Sequence, residues 1–203
     1  MIGQNWFVTN DGDCQAWADS SQAEELHRPY RLYRFLTDLE DVLHHSTNDL
    51  LQLQTIARLV RQLLSSSVWL QMTPLQPNPE VGWEVVTLYD EPFFPLTIQL
   101  VAWAPGVKSP IHNHASWGLV ALLSGQEHNT FWQRSPTSDC PDQIKEVGDC
   151  LLSPGDILCL MPDAIHQVEA MGDQPTISFN LYGETNYDQR FEFDIIRGTA
   201  KNF

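Results

Sequence analysis

Three histidines carry the chemistry that can be read from this chain. Two of them lie one residue apart in Pro110-Ile111-His112-Asn113-His114. On an extended strand, residues i and i+2 point to the same side. His112 and His114 therefore project two imidazoles side by side, a spacing that suits one shared cation. A third ligand must come from elsewhere, and His166 in Pro162-Asp163-Ala164-Ile165-His166-Gln167-Val168 is the candidate. It follows the turn Pro154-Gly155-Asp156 and the apolar run beginning at Ile157, which puts it at the start of a later strand, able to face the first pair across a barrel interior. Three neutral imidazoles leave the charge of a divalent metal unbalanced and, on an octahedral metal, leave about three positions open. That combination favours an anionic ligand such as a thiolate, whose pKa of about 8.5 falls on coordination. Imidazole also binds Zn, Ni and Cu, so the ligand types do not choose the metal.

The elements that must position these groups are short. From Trp83 onward, runs rich in β-branched and aromatic residues alternate with Gly, Pro and Asp, predicting strands near 83–88, 96–104, 118–124, 130–134, 150–152, 157–161, 167–170, 176–182 and 190–195. Many short strands with frequent turns indicate a β-sandwich or barrel. Asp149, Asp156 and Asp163 fall in predicted turns as solvated residues, and His128, after the Gly125 turn, has a surface or hydrogen-bonded role. Upstream, Leu32, Phe35, Leu36, Leu39, Val42 and Leu43 recur at helical spacing, as do Leu53, Ile56, Ala57, Val60, Leu63 and Leu64. Asn48 between them offers an N-cap, and His44 and His45 end the first helix, where the helix dipole favours them. Residues 1–28 read as a loose lead-in with a short helix around 22–27. The expected layout is one structural domain, with a helical lead-in over 1–80 packed on a β-barrel over 81–203.

Composition removes several classes of function. The net charge of −15, with only 11 Lys and Arg, argues against a nucleic-acid partner, since that binding rests on cationic contacts with phosphates. No run approaches the roughly 18 apolar residues of a membrane helix, and the start shows no basic segment followed by an apolar stretch. The expected setting is cytoplasmic, with Cys14, Cys140, Cys150 and Cys159 as free thiols. The expected partners are a small-molecule substrate and O2, and no feature fixes an oligomeric state.

Gly106, His112-x-His114, Gly125, Pro162 and His166 together resemble the two motifs of the cupin superfamily, over about 103–182. The resemblance implies a mostly β fold, a double-stranded β-helix or jelly-roll barrel, holding one metal. The usual first motif carries a Glu ligand after its second His, whereas Ala115-Ser116-Trp117-Gly118-Leu119 has no carboxylate. A three-His cupin of this kind is similar to the thiol dioxygenases, the cysteine and 3-mercaptopropionate dioxygenase family. The likeness extends through Ala57-Arg58-Leu59-Val60-Arg61-Gln62-Leu63-Leu64, Leu88-Tyr89-Asp90, Val101-Ala102-Trp103-Ala104-Pro105-Gly106, Trp117-Gly118 and Ser178-x-Asn180-x-Tyr182. It implies Fe(II) held by His112, His114 and His166 and oxidation of a small thiol to a sulfinate by O2. It also implies a Tyr182 hydroxyl near the metal, able to donate a hydrogen bond, with Ser178 orienting the residue between them.

The chain departs from that family at three places. Asn180 stands where the family has His, and an amide cannot take up a proton near neutral pH. Gly118 stands where mammalian-type enzymes have the cysteine they crosslink to the tyrosine. The family's carboxylate-binding Arg is missing: its place falls near Val86, and no Lys or Arg occurs from Gln62 to Val107. Lys108 and Arg134 are the candidates to replace it. Two alternatives therefore stand beside thiol oxidation: a three-His cupin dioxygenase cleaving a diketone-like substrate, and a cupin that binds a metal or ligand without turnover. Trp117 either walls the substrate pocket or fills the core.

Overall fold

In a computed structural model of the chain, residues 3–18, 30–45, 48–72, 74–94 and 96–202 are described. The strands are β1 (Asn5–Val8), β2 (Cys14–Trp17), β3 (Trp83–Asp90), β4 (Leu96–Trp103), β5 (Ile111–Asn113), β6 (Gly118–Ser124), β7 (Gln126–Arg134), β8 (Ile144–Leu152), β9 (Ile157–Leu160), β10 (Ile165–Met171), β11 (Thr176–Gly183), β12 (Phe191–Asp194) and β13 (Thr199–Asn202). The helices are α1 (Leu32–His45), α2 (Asp49–Ser66) and α3 (Val68–Met72). Two compact units result, one of residues 1–17 with 75–203, the other of residues 18–74.

In the first unit the described strands form two sheets, ordered β2-β1-β9-β6-β11-β4-β3 and β13-β12-β5-β10-β7-β8. The fold is mostly β, a jelly-roll barrel of two sheets, as the motif pattern implied. Pairing is antiparallel except between β1 and β9, which run parallel with Val8 opposite Leu160. Alternation along each strand sends one set of side chains inward. Val8, Val120, Leu122, Leu158 and Leu160 from one sheet meet Phe131, Cys150 and Leu152 from the other in a single apolar cluster. The six-stranded sheet carries a second cluster on its other face, where Ile111, Trp132, Ile144, Ile165 and Phe193 pack together. Gly125 allows the β6–β7 reversal. Its φ is +78°, and a Cβ there would lie 2.7 Å from the Pro175 carbonyl oxygen.

Several elements differ from expectation. Residues 5–8 and 14–17 form a hairpin and join the larger sheet instead of a loose lead-in. Their few apolar residues show no periodicity of their own, and the pairing comes from the distant β9. The helix expected at 22–27 lies outside the described residues. β7 and β8 begin earlier than predicted, because each polar start is paired with its neighbour from Arg134↔Ile144 onward. Asp149 is consequently mid-strand rather than in a turn, and its carboxylate meets His128 Nε2 at 2.9 Å.

In the second unit α1 buries Phe35 and Leu39, and α2 buries Leu53, Ile56, Ala57, Val60 and Leu63. Asn48 caps α2, its side chain accepting from Leu51 N at 3.0 Å. Tyr30 ties the unit together: its hydroxyl donates to Asp38 at 2.7 Å and its carbonyl accepts from Ser66 at 2.8 Å. No helix among the described residues is long and apolar enough to cross a membrane.

Leu158 is fully buried at the centre of the barrel cluster. Leu158→Ala should lower stability by about 2–5 kcal/mol, the cost of lost burial plus a cavity, read as a lower denaturant midpoint at unchanged slope.

Candidate metal centre

Antiparallel pairing of β5 with β10 sets His112 directly opposite His166. Both are buried, while His114, just past the end of β5, keeps partial exposure. The ring centroids of His112 lie 4.7 Å from those of both His114 and His166. One ring nitrogen from each of the three falls within 4.8 Å of the others. The chain turns away immediately afterwards through Ala115, whose φ is +51°, and the Ala115 carbonyl accepts from Asn186 N at 3.1 Å.

Hydrogen bonds fix which nitrogens face inward. His112 Nδ1 donates to the Pro110 carbonyl at 3.0 Å. His166 Nδ1 is 3.0 Å from Asn129 Oδ1, and the Asn129 amide nitrogen donates to Glu127 Oε1 at 2.8 Å. With its NH2 committed to Glu127, Asn129 presents only its oxygen to His166, so His166 Nδ1 carries the proton. The Nε2 atoms of His166 and His114 then lie 3.0 Å apart. On bonds of about 2.1 Å, two nitrogens at that separation subtend about a right angle at a shared metal. Burial lowers all three histidines, His112 to about 4 and the other two well below the usual imidazole value, where neighbouring imidazoles add to the effect. Neutral and brought together, two of them anchored through Nδ1, the three fit a resident divalent metal in both geometry and chemistry.

Beside the histidines, β11 presents Ser178, Asn180 and Tyr182 on its inner face. Asn180 Nδ2 donates to Ser178 Oγ at 2.9 Å, and the Tyr182 hydroxyl donates to Asn180 Oδ1 at 3.3 Å. The Tyr182 ring stacks on His114, centroids 4.5 Å apart at 28°. Burial, with the Glu127 carboxylate contributing, pushes the phenol well above its usual range, so it stays protonated. Gly118 is opposite Tyr182 across the β6–β11 pair. A Cβ there would lie 3.1 Å from Tyr182 Cδ1 and 3.2 Å from Cε1, so the absent side chain is what gives the phenol ring its room. Trp117 packs its indole against Gly183, where a Cβ would come within 2.4 Å of Nε1.

Neither expected cation reaches this centre. Lys108 pairs with Glu169 at 2.9 Å, and Arg134 lies over the rings of Phe191 and Phe193 at 5.4 and 4.8 Å. Both serve the outer face of the six-stranded sheet, because the partners they engage alternate away from the interior. Arg190, which the sequence reading did not single out, is the cation whose charge acts on His112, His114 and Tyr182. β12 pairs with β5 through Glu192↔His112, and continuing that register sets Arg190 opposite His114. Asn113, between the two ligands, staples this segment: its Nδ2 donates to the Gln189 carbonyl at 2.9 Å and its Oδ1 accepts from Phe191 N at 2.8 Å. Glu127 and Asn129 were also missed. Alternation would have exposed them had the strand been started at Gln126.

No family model matches the sequence. Among solved structures, the chain is similar to a cupin superfamily protein from Desulfitobacterium hafniense (16% identity, 57% of this chain and 86% of that one, TM-score 0.43). It is also similar to a cupin 2 conserved barrel domain protein from Salinispora arenicola (17% identity, 55% of this chain and 89% of that one, TM-score 0.40). A third likeness is to an oxalate oxidase solved with glycolate (12% identity, 57% of each chain, TM-score 0.41).

Alanine at 112, 114 or 166 should each abolish retention of Fe(II) or Co(II) through desalting, measured by elemental analysis. The loss in affinity should exceed the roughly 10–100-fold typical of groups one shell further out.

Proposed function

We propose that the protein is a non-haem Fe(II)- and O2-dependent dioxygenase that oxidises a small thiol to a sulfinate. The observation that carries this reading is the meeting of three neutral imidazoles with the Ser178–Asn180–Tyr182 chain, Tyr182 stacked on the ligand His114. His112, His114 and His166 would hold the iron, which when bound supplies the redox chemistry that lets O2 react with a closed-shell substrate.

The remaining roles belong to the protein. Three ligands without charge favour an anionic substrate head, and a thiolate answers that need. Arg190 supports a second anchor on the same substrate, its guanidinium suited to a carboxylate. That restores a thiol acid such as cysteine or 3-mercaptopropionate despite Val86 in the family's usual position. The Tyr182–Asn180 bond of 3.3 Å is long for an O–H donor, so the hydroxyl turns readily toward a better acceptor beside His114. Asn180 orients the phenol without taking its proton.

The test is oxygen uptake by the iron-loaded protein with cysteine, 3-mercaptopropionate, cysteamine and acetylacetone, with the product examined for a sulfinate carrying both atoms of labelled O2. Uptake with a carboxylate-bearing thiol is expected. Arg190→Gln should raise KM for that thiol by about 100-fold, the scale of a lost charge-assisted bidentate pair, and leave cysteamine unaffected. Consumption of acetylacetone alone would shift the assignment to carbon–carbon cleavage. No uptake at full iron loading would leave a metal-binding protein without turnover.

A further inference from the structure

Glu127 lies on β7 inside the barrel, 2% exposed. Its interior position follows from alternation: Asn129 and Phe131 share its face, and Ala170 and Leu152 are its cross-strand neighbours. Among the described residues no Lys, Arg or His forms an ion pair with it. A buried carboxylate without a cation is costly in a metal-free protein, and replacing it by an apolar residue would remove that cost.

Its hydrogen bond with Asn129 gives it a purpose. Glu127 Oε1 accepts from Asn129 Nδ2 at 2.8 Å, and Asn129 Oδ1 faces His166 Nδ1 at 3.0 Å. Asn129 is fully buried and His166 nearly so, so water does not compete for either bond. An amide can turn about its own axis and exchange oxygen for nitrogen. If it did, Asn129 would donate to His166, the proton would move to Nε2, and His166 could not ligate. Burial raises the Glu127 carboxyl to about 7, and a cation held by the histidines favours its ionised form; as an acceptor-only carboxylate it forbids that turn.

We propose that Glu127 is the counter-charge of the metal centre, a positioning residue that acts through Asn129 to keep the His166 Nε2 lone pair directed at the cation. It thereby does at a distance part of what a carboxylate ligand does by direct contact, and leaves the coordination positions beside the histidines free. The inference rests on the reading of His112, His114 and His166 as a metal site.

The test titrates the full-length, metal-free protein with Co(II), and separately with Fe(II) under anaerobic conditions, in wild type and Glu127→Gln. Glutamine keeps the length and an acceptor oxygen but loses the charge and the enforced polarity. The expected result is metal affinity lower by about 10- to 100-fold, the range for groups behind a histidine ligand, with the thermal midpoint of the metal-free protein unchanged or higher. The imidazole nitrogen resonances of His166 should show a mixture of tautomers in the variant and one in the wild type. A residue of purely structural value would move the other way, losing metal-free stability with the His166 signals unaltered, and that result would overturn the proposal. Should Glu127→Gln fail to fold, the same readouts are taken on Glu127→Met. Wild-type protein that takes up no metal would remove the metal centre and the inference together, whereas equal affinity in wild type and variant would remove the inference alone.

Discussion

The arrangement depends on one constraint: imidazoles that are taken out of water must stay neutral, and neutral imidazoles must be told which nitrogen to present. The barrel meets the first demand by pairing His112 with His166 on its inner face. It meets the second with acceptors fixed in the surrounding strands, the Pro110 carbonyl for one ring and the Asn129 amide for the other. The positions of β5, β7 and β10 follow, since a slip of one residue in any of them would turn its histidine or its acceptor to the opposite face.

The same two-sidedness sorts the charges. Lys108 and Arg134 belong to the outer surface of the six-stranded sheet and are held there by Glu169 and by two phenylalanines. Arg190 comes from a segment that Asn113 ties to the ligand strand. The residue between the two ligand histidines thus has a distinct task. It points away from the cation and uses its amide to hold the neighbouring strand, so ligation and the placement of a positive charge share three consecutive residues.

What the sequence disclosed depended on the range of each interaction. The convergence of His112, His114 and His166 was legible because local turns and alternation set their strand positions, whereas Ser178, Asn180 and Tyr182 were picked out by the family resemblance alone. Glu127 and Asn129 stayed hidden behind a strand start placed at Thr130, since a charged opening reads as loop until its partner strand is known. Arg190 was invisible for a stronger reason. Its relation to His114 arises from the β5–β12 register, which no periodicity within either segment announces. The N-terminal hairpin was lost in the same way, being four-residue strands with mixed polarity that acquire their conformation from a distant neighbour.

That hairpin has a consequence for how the molecule is made. β1 is synthesised well before the strand it lies against, since Asn5 pairs with Ile157 of β9. Contacts so far apart in sequence are slow to establish, and during synthesis the early strands exist for a time without the edge they will occupy. The flank of β9 is therefore sealed late, by residues made well before it, and until they dock the barrel has an unpaired border open to other chains.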